Sequence, residues 1–349
     1  MAGGGGTRLW PLSDDKHPKP LLEVFSKQTM LEQTIFRARL FADDFFILTS
    51  KEISEHAKES FENFGVAPEQ IIVEPDGADT AAAIAFAIAH IKTIYERATY
   101  EESVIVTLLP VDHRIKNHGA FYRDIRYATK AAQARKSLVL FGITPFFASA
   151  GYGYIQLGSA VDHQDRDTLF KVNGFLEKPT QATANKLLRS ADYVWNSGIF
   201  IGTVSAYEAR FKQDTLLYEW YVALCQGKTQ TPMPEMFRNF QFEHGIIEHA
   251  KQLLAVIATF DWVDIGTYNG LYSSLPQTDE NGNSARGDTV IRDCQDCLII
   301  GNHKKIVALG LSDIAVIDGP DGILVCKKST HSQIVGKAAT DKEQPNAQH

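Results

Sequence analysis

What most constrains this chain is a run of apolar strand patterns, each separated from the next by a helical one, between residues 29 and 141. Thr29 to Leu40 reads as a helix, Phe45 to Thr49 as a buried strand, Lys51 to Phe64 as a helix and Gln70 to Val73 as a strand. A long alanine-rich helix follows over Thr80 to Ala98, then a strand over Ser103 to Leu109, a helix over Ala120 to Arg135 and a strand over Ser137 to Phe141. Strands that are apolar throughout, without alternation, are buried on both faces, so the pattern predicts a parallel sheet covered by helices. Ligands of such sheets sit beyond the carboxyl ends of the strands. The unusual loops fall there: Glu74-Pro-Asp-Gly77 follows one strand and Pro110-Val-Asp-His113 follows another.

Beyond Gly151 the strands shorten, at Tyr154 to Leu157, Lys171 to Leu176 and Gly198 to Val204, mixed with helices. From about Gly287, closely spaced apolar strands separated by turn residues predict a small β domain, β-helix-like or rolled. The 349 residues divide on this reading into 1–285, a β domain over 286–338 and a disordered tail over 339–349. A net charge of −7 argues against a nucleic-acid partner. No apolar run is long enough to span a bilayer and no signal peptide precedes the opening glycines, so the expected location is cytoplasmic, with no membrane partner. Cys294-Gln-Asp-Cys297 has zinc-like spacing, but no second pair completes a site, and reduced thiols are the expectation.

The chain opens on Met1-Ala-Gly-Gly-Gly-Gly-Thr-Arg-Leu-Trp-Pro-Leu-Ser13. Four glycines, Gly3, Gly4, Gly5 and Gly6, let backbone N–H groups converge on anionic oxygens, because no Cβ blocks the approach. Thr7, Arg8 and, further on, Lys19 add polar and cationic groups. A linker also begins in glycine, but it would continue in Gly and Ser instead of Thr-Arg-Leu-Trp. No Gly-Lys-Ser/Thr follows, and Gly-x-Gly-x-x-Gly is completed nowhere, which disfavours a P-loop kinase and a dinucleotide-binding dehydrogenase.

With Leu109-Pro-Val-Asp-His113, Gly151-Tyr-Gly-Tyr-Ile155, Phe175-Leu-Glu-Lys-Pro179, Asn196-Ser-Gly198 and Trp262-Val-Asp-Ile-Gly266 following in order, the chain resembles the sugar-nucleotidyltransferase superfamily. It is most similar to the bacterial mannose-1-phosphate guanylyltransferases, over nearly its whole length. The resemblance implies an α/β, Rossmann-like nucleotidyltransferase domain with a mixed, mainly parallel sheet and a small C-terminal β domain. It implies GTP and mannose 1-phosphate as substrates, GDP-mannose and pyrophosphate as products, and Mg2+ as cofactor.

Attack by an already anionic sugar phosphate on the α-phosphate needs no general base. Such chemistry is alignment of two polyanions plus charge stabilisation, which calls for acids, Arg and Lys. The resemblance assigns catalysis to Arg8, Lys19, Asp112, Lys178 and Asp264, with the metal on Asp112 and Asp264. It assigns the nucleotide to Gly3 through Arg8, Glu74, Gly77 and Thr80, and the sugar phosphate to Gly151, Gly153, Glu177, Lys178 and Asn196. Taken alone, each Asp would serve as well as a helix cap or turn former, Glu177–Lys178 as a surface ion pair, and Asn196 as a turn. His113 is expected to hold its loop and take no part in the chemistry. Glu74 can accept from both N1–H and the exocyclic amine of guanine, which favours GTP.

Three departures stand out. Relatives carry Glu-Pro-x-Gly-Arg-Asn-Thr where this chain has Ala78 and Asp79, a cation lost and an anion gained. Ser13-Asp14 replaces Ser-Arg, and Pro18-Lys19-Pro20 replaces Pro-Lys-Gln. Two alternatives therefore stay open, a UTP- or dTTP-dependent nucleotidyltransferase and a non-catalytic sugar-nucleotide-binding homologue. A C-terminal isomerase domain found in many relatives is not expected here. Relatives also precede the glycines with an apolar inner strand, and a segment upstream of Met1 is expected to supply it. By analogy the C-terminal β region offers a contact surface for a homodimer.

Overall fold

The computed structural model describes residues 1–3, 7–14, 16–95, 104–164, 167–228 and 231–328. Gly4, Gly5, Gly6, the side chain of Thr7, the last turn expected for the 80–98 helix and the 339–349 tail lie outside the described residues.

A six-stranded mixed sheet runs in the order Ile105–Leu108, Tyr193–Thr203, Val139–Ile143, Leu254–Ile257, Asp167–Leu176, Tyr154–Gln164. Within it only Val139–Ile143 and Leu254–Ile257 pair in parallel, while the other neighbours are antiparallel. The sheet is mixed as expected, but mainly parallel pairing is corrected by the position of one strand. Ile105–Leu108 and Val139–Ile143 do run the same way, as the strand–helix repeat requires; the long Tyr193–Thr203 strand lies between them, antiparallel to both. Ile47–Thr49 and Ile71–Val73 form a separate parallel pair.

Met1 and Ala2 join the two sheets. Ala2 N donates to Leu48 O at 2.7 Å and Val111 N donates to Met1 O at 3.1 Å, while Met1 N donates to Leu109 O at 2.8 Å. These bonds place the start of the signature loop at the carboxyl ends of Ile47–Thr49 and Ile105–Leu108, where a ligand is expected.

Local chemistry sets the helix ends. Thr29 caps Met30–Ala38 through a reciprocal box, its Oγ1 accepting from Glu32 N and its own N donating to Glu32 Oε2. Asn117 caps His118–Arg135, accepting from Ala120 N at 3.0 Å. The helix expected over 51–64 is two, Lys51–His56 and Lys58–Asn63, broken at Ala57. Thr80–Tyr95 is buried along most of its length because its alanines allow close packing against the sheet and against Thr215–Cys225. No described helix is long and apolar enough to cross a membrane.

The C-terminal β domain is a short coil. Ser284–Arg292, Leu298–Leu309 and Ile314–Gly319 stack in parallel, and Gly322–Lys327 closes the stack antiparallel. Ser284 lies over Leu298, which lies over Ala315. Asn283 stitches the turn, accepting from Cys297 N at 2.9 Å and donating to Cys294 O at 2.8 Å. None of the four cysteines is in a disulfide.

This coil packs on the signature loop. Leu9, Leu12, Tyr268, Leu298, Ile300, Ala315 and Ile317 share one buried cluster, and each fully buried Leu or Ile contributes roughly 1.5–3 kcal/mol. Tyr268 OH donates to Leu9 O at 3.0 Å and to Trp10 O. A Cβ on Gly319 would land on the Pro11 carbonyl, so the approach of the two backbones requires glycine there.

Candidate active site

A cavity of about 430 Å3 opens at the carboxyl ends of the strands. Of the residues proposed from sequence, Gly3, Arg8, Glu74, Thr80, Asp112, Gly151, Gly153, Glu177, Lys178, Asn196 and Asp264 line it. Lys19 does not, but its Nζ reaches Asp112 Oδ2 at 2.6 Å. Gly77 is also absent from the lining; its φ of +74° and the Arg238 guanidinium packed against it explain the glycine without a ligand.

Asp112 and Asp264, far apart in sequence, are brought together by a short antiparallel pairing in which Asp264 faces His113. Ile265 N donates to Asp112 O at 2.9 Å. Polar anchors fix both halves of that pairing. Arg37, buried behind the loop, donates from Nη2 to His113 O at 3.0 Å and to Thr34 Oγ1 at 2.6 Å. On the other half, Asp124 accepts from Thr259 N and Oγ1 at 2.6 and 2.7 Å. Asp261 accepts from Asn117 N at 2.7 Å and from Lys116 N at 3.0 Å. Two carboxylates are thus held rigidly at the cavity floor.

Burial opposes the ionisation of Asp112, but the Lys19 ammonium and then His113 outweigh it and hold the carboxyl well below its usual range. Burial lowers the pKa of His113 despite the nearby Asp112 and Asp264. The ring sits edge-on against Trp262 at 5.2 Å, with Trp262 in turn against Tyr152 at 5.5 Å. His113 also lines the cavity, and its Nδ1 is buried without a partner. Asp264 Oδ1 is buried without a partner, and such an oxygen beside a second carboxylate is a donor set suited to a hard divalent cation. Among the described residues no group of three or more His, Cys, Asp or Glu could hold a metal.

Glu177 and Lys178 also line the cavity. Lys178 has a φ of +42°, a left-handed backbone that a lysine adopts only when its surroundings impose it. Its Nζ lies 2.9 Å from Glu177 Oε1, and Glu177 Oε2 is buried without a partner. Gly153 abuts that oxygen closely enough to exclude a side chain. Asn196 N donates to Gly153 O at 2.8 Å, and its Oδ1 accepts from Gly198 N at 3.2 Å, so the site is built on the strand Tyr193–Thr203.

Several residues escaped the sequence reading. Glu243 lines the cavity at the first position of a π-helical turn, Glu243–Ile247. Burial, then the facing Glu177, pushes its pKa up to about 7. Thr80 Oγ1 accepts from Phe242 N at 2.8 Å, tying this turn to the nucleotide loop. A π-turn has no sequence signal of its own, and Glu243 sits in an ordinary Phe-Glu-His-Gly. Glu74 is likewise raised to about 7, first by burial, with Glu52 and Asp79 adding to it against the nearby chain amino group.

A family model described as nucleotidyl transferase matches residues 1–281, and one described as a MannoseP isomerase/GMP-like beta-helix domain matches 287–335. The alginate biosynthesis protein AlgA of Pseudomonas aeruginosa is 31% identical over 340 residues, covering 94% of this chain and 68% of that protein. A mannose-1-phosphate guanylyltransferase of Escherichia coli is 30% identical over 346 residues, covering 95% and 72%. A crystal structure described as mannose-1-phosphate geranyltransferase from Thermus thermophilus superposes with a TM-score of 0.80 at 25% identity, over 97% of this chain and 98% of that one.

Proposed function

The chain belongs to the nucleotidyl transferase family, and we propose that it transfers GMP from GTP to α-D-mannose 1-phosphate. The products would be GDP-mannose and pyrophosphate. The observation that carries this reading is the one cavity lined by Arg8, Asp112, Asp264, Glu177 and Lys178 together. The names of relatives support the sugar, and alginate and xanthan biosynthesis in two of those names support a role in polysaccharide supply.

In this reading Arg8 and the glycine loop bind the triphosphate, and Glu74 accepts from the guanine edge. Lys178 neutralises the sugar phosphate and Glu177 Oε2 accepts from a sugar hydroxyl. Asn196 and Gly153 fix the sugar's approach, so the phosphate oxygen faces the α-phosphorus in line with the departing pyrophosphate. Asp112 and Asp264 would hold Mg2+, which when bound supplies charge neutralisation between the two polyanions. Lys19 keeps Asp112 ionised. We take 1–285 as the unit that performs the chemistry and 286–338 as the β unit that supports it.

Pyrophosphate release from the protein with mannose 1-phosphate and each of GTP, ATP, UTP and dTTP tests the reading. Preference for GTP is expected; preference for UTP or dTTP would replace the nucleotide. Asp79 in the cavity lining, with Ala78 beside it, favours a second reading, a binding homologue without turnover. Retained GDP-mannose binding with no turnover on any nucleotide would establish that one instead.

A further inference from the structure

Two carboxyl groups from separate elements meet at the lining of the cavity, Glu177 and Glu243. Glu177 follows the strand Asp167–Leu176, and Glu243 opens the π-helical turn Glu243–Ile247. That turn is fixed from both ends. Gly245 N donates to Gln241 O at 2.8 Å and Glu248 N to Glu243 O at 2.9 Å, while Phe242 N donates to Thr80 Oγ1 at 2.8 Å. Glu243 itself is half-buried and lines the cavity, so part of its surface is open to a ligand. A single π-turn is a rare departure from helical geometry, and such turns recur at functional sites.

The protein satisfies neither acid. Glu177 Oε1 pairs with Lys178 Nζ at 2.9 Å, but Glu177 Oε2 is buried without a partner. Among the described residues no side-chain hydrogen bond reaches the Glu243 carboxyl. The charged groups that face it are Glu177 and Asp79, which add to burial in raising its pKa, and Lys178, which opposes them. At about 7, Glu243 carries a proton in a large share of molecules near neutral pH. An ionised carboxylate only accepts hydrogen bonds, a protonated carboxyl also donates, and a hydroxyl does both. A hydroxyl is therefore the group that satisfies such a pair, donating to Glu177 Oε2 and accepting from Glu243. In the empty protein the unsatisfied oxygen and the facing acid are destabilising, which a purely structural role does not explain.

We propose that Glu243 is a specificity-determining residue for the sugar: with Glu177 it holds one ring hydroxyl of the sugar phosphate between two carboxyl groups. This deepens the function proposed above and rests on its placing of the sugar beside Glu177 and Lys178. A sugar without that hydroxyl leaves both carboxyls unpaired. A site built to hydrogen-bond a hydroxyl refuses such an analogue far more strongly than an apolar pocket refuses a missing methylene. Nucleotide binding is the internal control. The bond from Phe242 to Thr80 is made by the backbone, so truncating the Glu243 side chain removes no contact to the nucleotide loop.

Calorimetric titration of the full chain with GDP-mannose and with GDP tests it, on the unaltered protein, Glu243→Ala and Glu243→Gln. Glu243→Ala should bind GDP-mannose about tenfold or more weakly, the loss of one hydrogen bond within a charged site, and bind GDP as the unaltered chain does. Glu243→Gln, whose amide also donates and accepts, should recover most of that loss. Unchanged GDP-mannose affinity in Glu243→Ala would overturn the inference. Equal weakening of both ligands would mark a structural role and overturn it too, as would no binding of GDP-mannose by the unaltered chain. A loss in Glu243→Gln as large as in Glu243→Ala would overturn the donating role of Glu243. Pyrophosphate release with the monodeoxy analogues of mannose 1-phosphate then identifies the hydroxyl. For one analogue, kcat/KM should be equal in the unaltered chain and Glu243→Ala; a full loss on every analogue would overturn the bridging hydroxyl. Retained GDP-mannose binding without turnover on any nucleotide would overturn the proposed reaction alone, and the comparison of GDP-mannose with GDP would still decide the role of Glu243.

Discussion

Lys19 Nζ lies 2.6 Å from Asp112 Oδ2, across 93 positions of chain, and the lysine is almost fully buried. The pair is both a structural tie and a means of setting charge. Replacing Lys19 by Met leaves a carboxylate without its partner. Loss of a buried partner costs about 3 kcal/mol of stability, and loss of one electrostatic element of a site lowers kcat by about 100-fold or more. Urea midpoints and pyrophosphate release measure the two effects. Asp112→Asn should abolish nearly all turnover with the fold retained.

Arg37 touches no part of the cavity but holds His113 O and Thr34. Arg37→Met should lower kcat about tenfold with little change in KM, since misplacing a catalytic group weakens the transition state more than ground-state binding. Arg37→Lys, keeping a donor, should recover part of the loss; an unchanged kcat in Arg37→Met would remove its positioning role.

Glu243 is raised to about 7 by burial and by Glu177. A carboxyl whose pKa is higher folded than unfolded contributes its full stability below the unfolded value, near 4.5. That contribution is lost as pH rises through about 7. The melting temperature should therefore fall between pH 5 and pH 8, and Glu243→Gln should flatten that slope. Glu74, raised by burial in the same direction, leaves a residual slope in the variant.

Chelation should abolish turnover and leave the fold intact, because Asp112 is already balanced by Lys19. Far-UV circular dichroism with and without EDTA, beside the activity assay, separates these. Asp264→Asn should raise the Mg2+ concentration needed for half-maximal rate, since it removes one anionic ligand.

Gly319→Ala places a methyl group against the Pro11 carbonyl. Overpacking of this kind costs about 1–3 kcal/mol. Turnover should drop with it, since the displaced backbone belongs to the signature loop; normal kcat with lowered stability would separate the coil from the chemistry.

Much of the site was legible because its residues sit in short motifs at strand ends, and Asp112, Glu177, Lys178 and Asp264 all line one cavity. The sheet was less legible. Asn196-Ser-Gly198 carries turn residues, yet lies inside a strand of 11 residues. Pairing with Ile105–Leu108 on one side and Val139–Ile143 on the other overrides the local signal. Gly198 adopts its φ of +72° within the strand, and the register of the Val139–Ile143 pairing shifts nearby. The anchors Arg37, Asp124 and Asp261 were invisible for another reason. Each acts on a backbone group far away in sequence, and a lone polar residue in a helix or loop gives no sign of such a partner.

The packing of the C-terminal coil on Leu9 and Leu12 also sets an order of events at the ribosome. The signature loop is made before its apolar partners Leu298, Ile300, Ala315 and Ile317. A nascent chain arrested before Leu298 should remain open to trypsin after Arg8, and one extended past Lys327 should resist. In synthesis, the signature loop matures only once the coil that covers it exists.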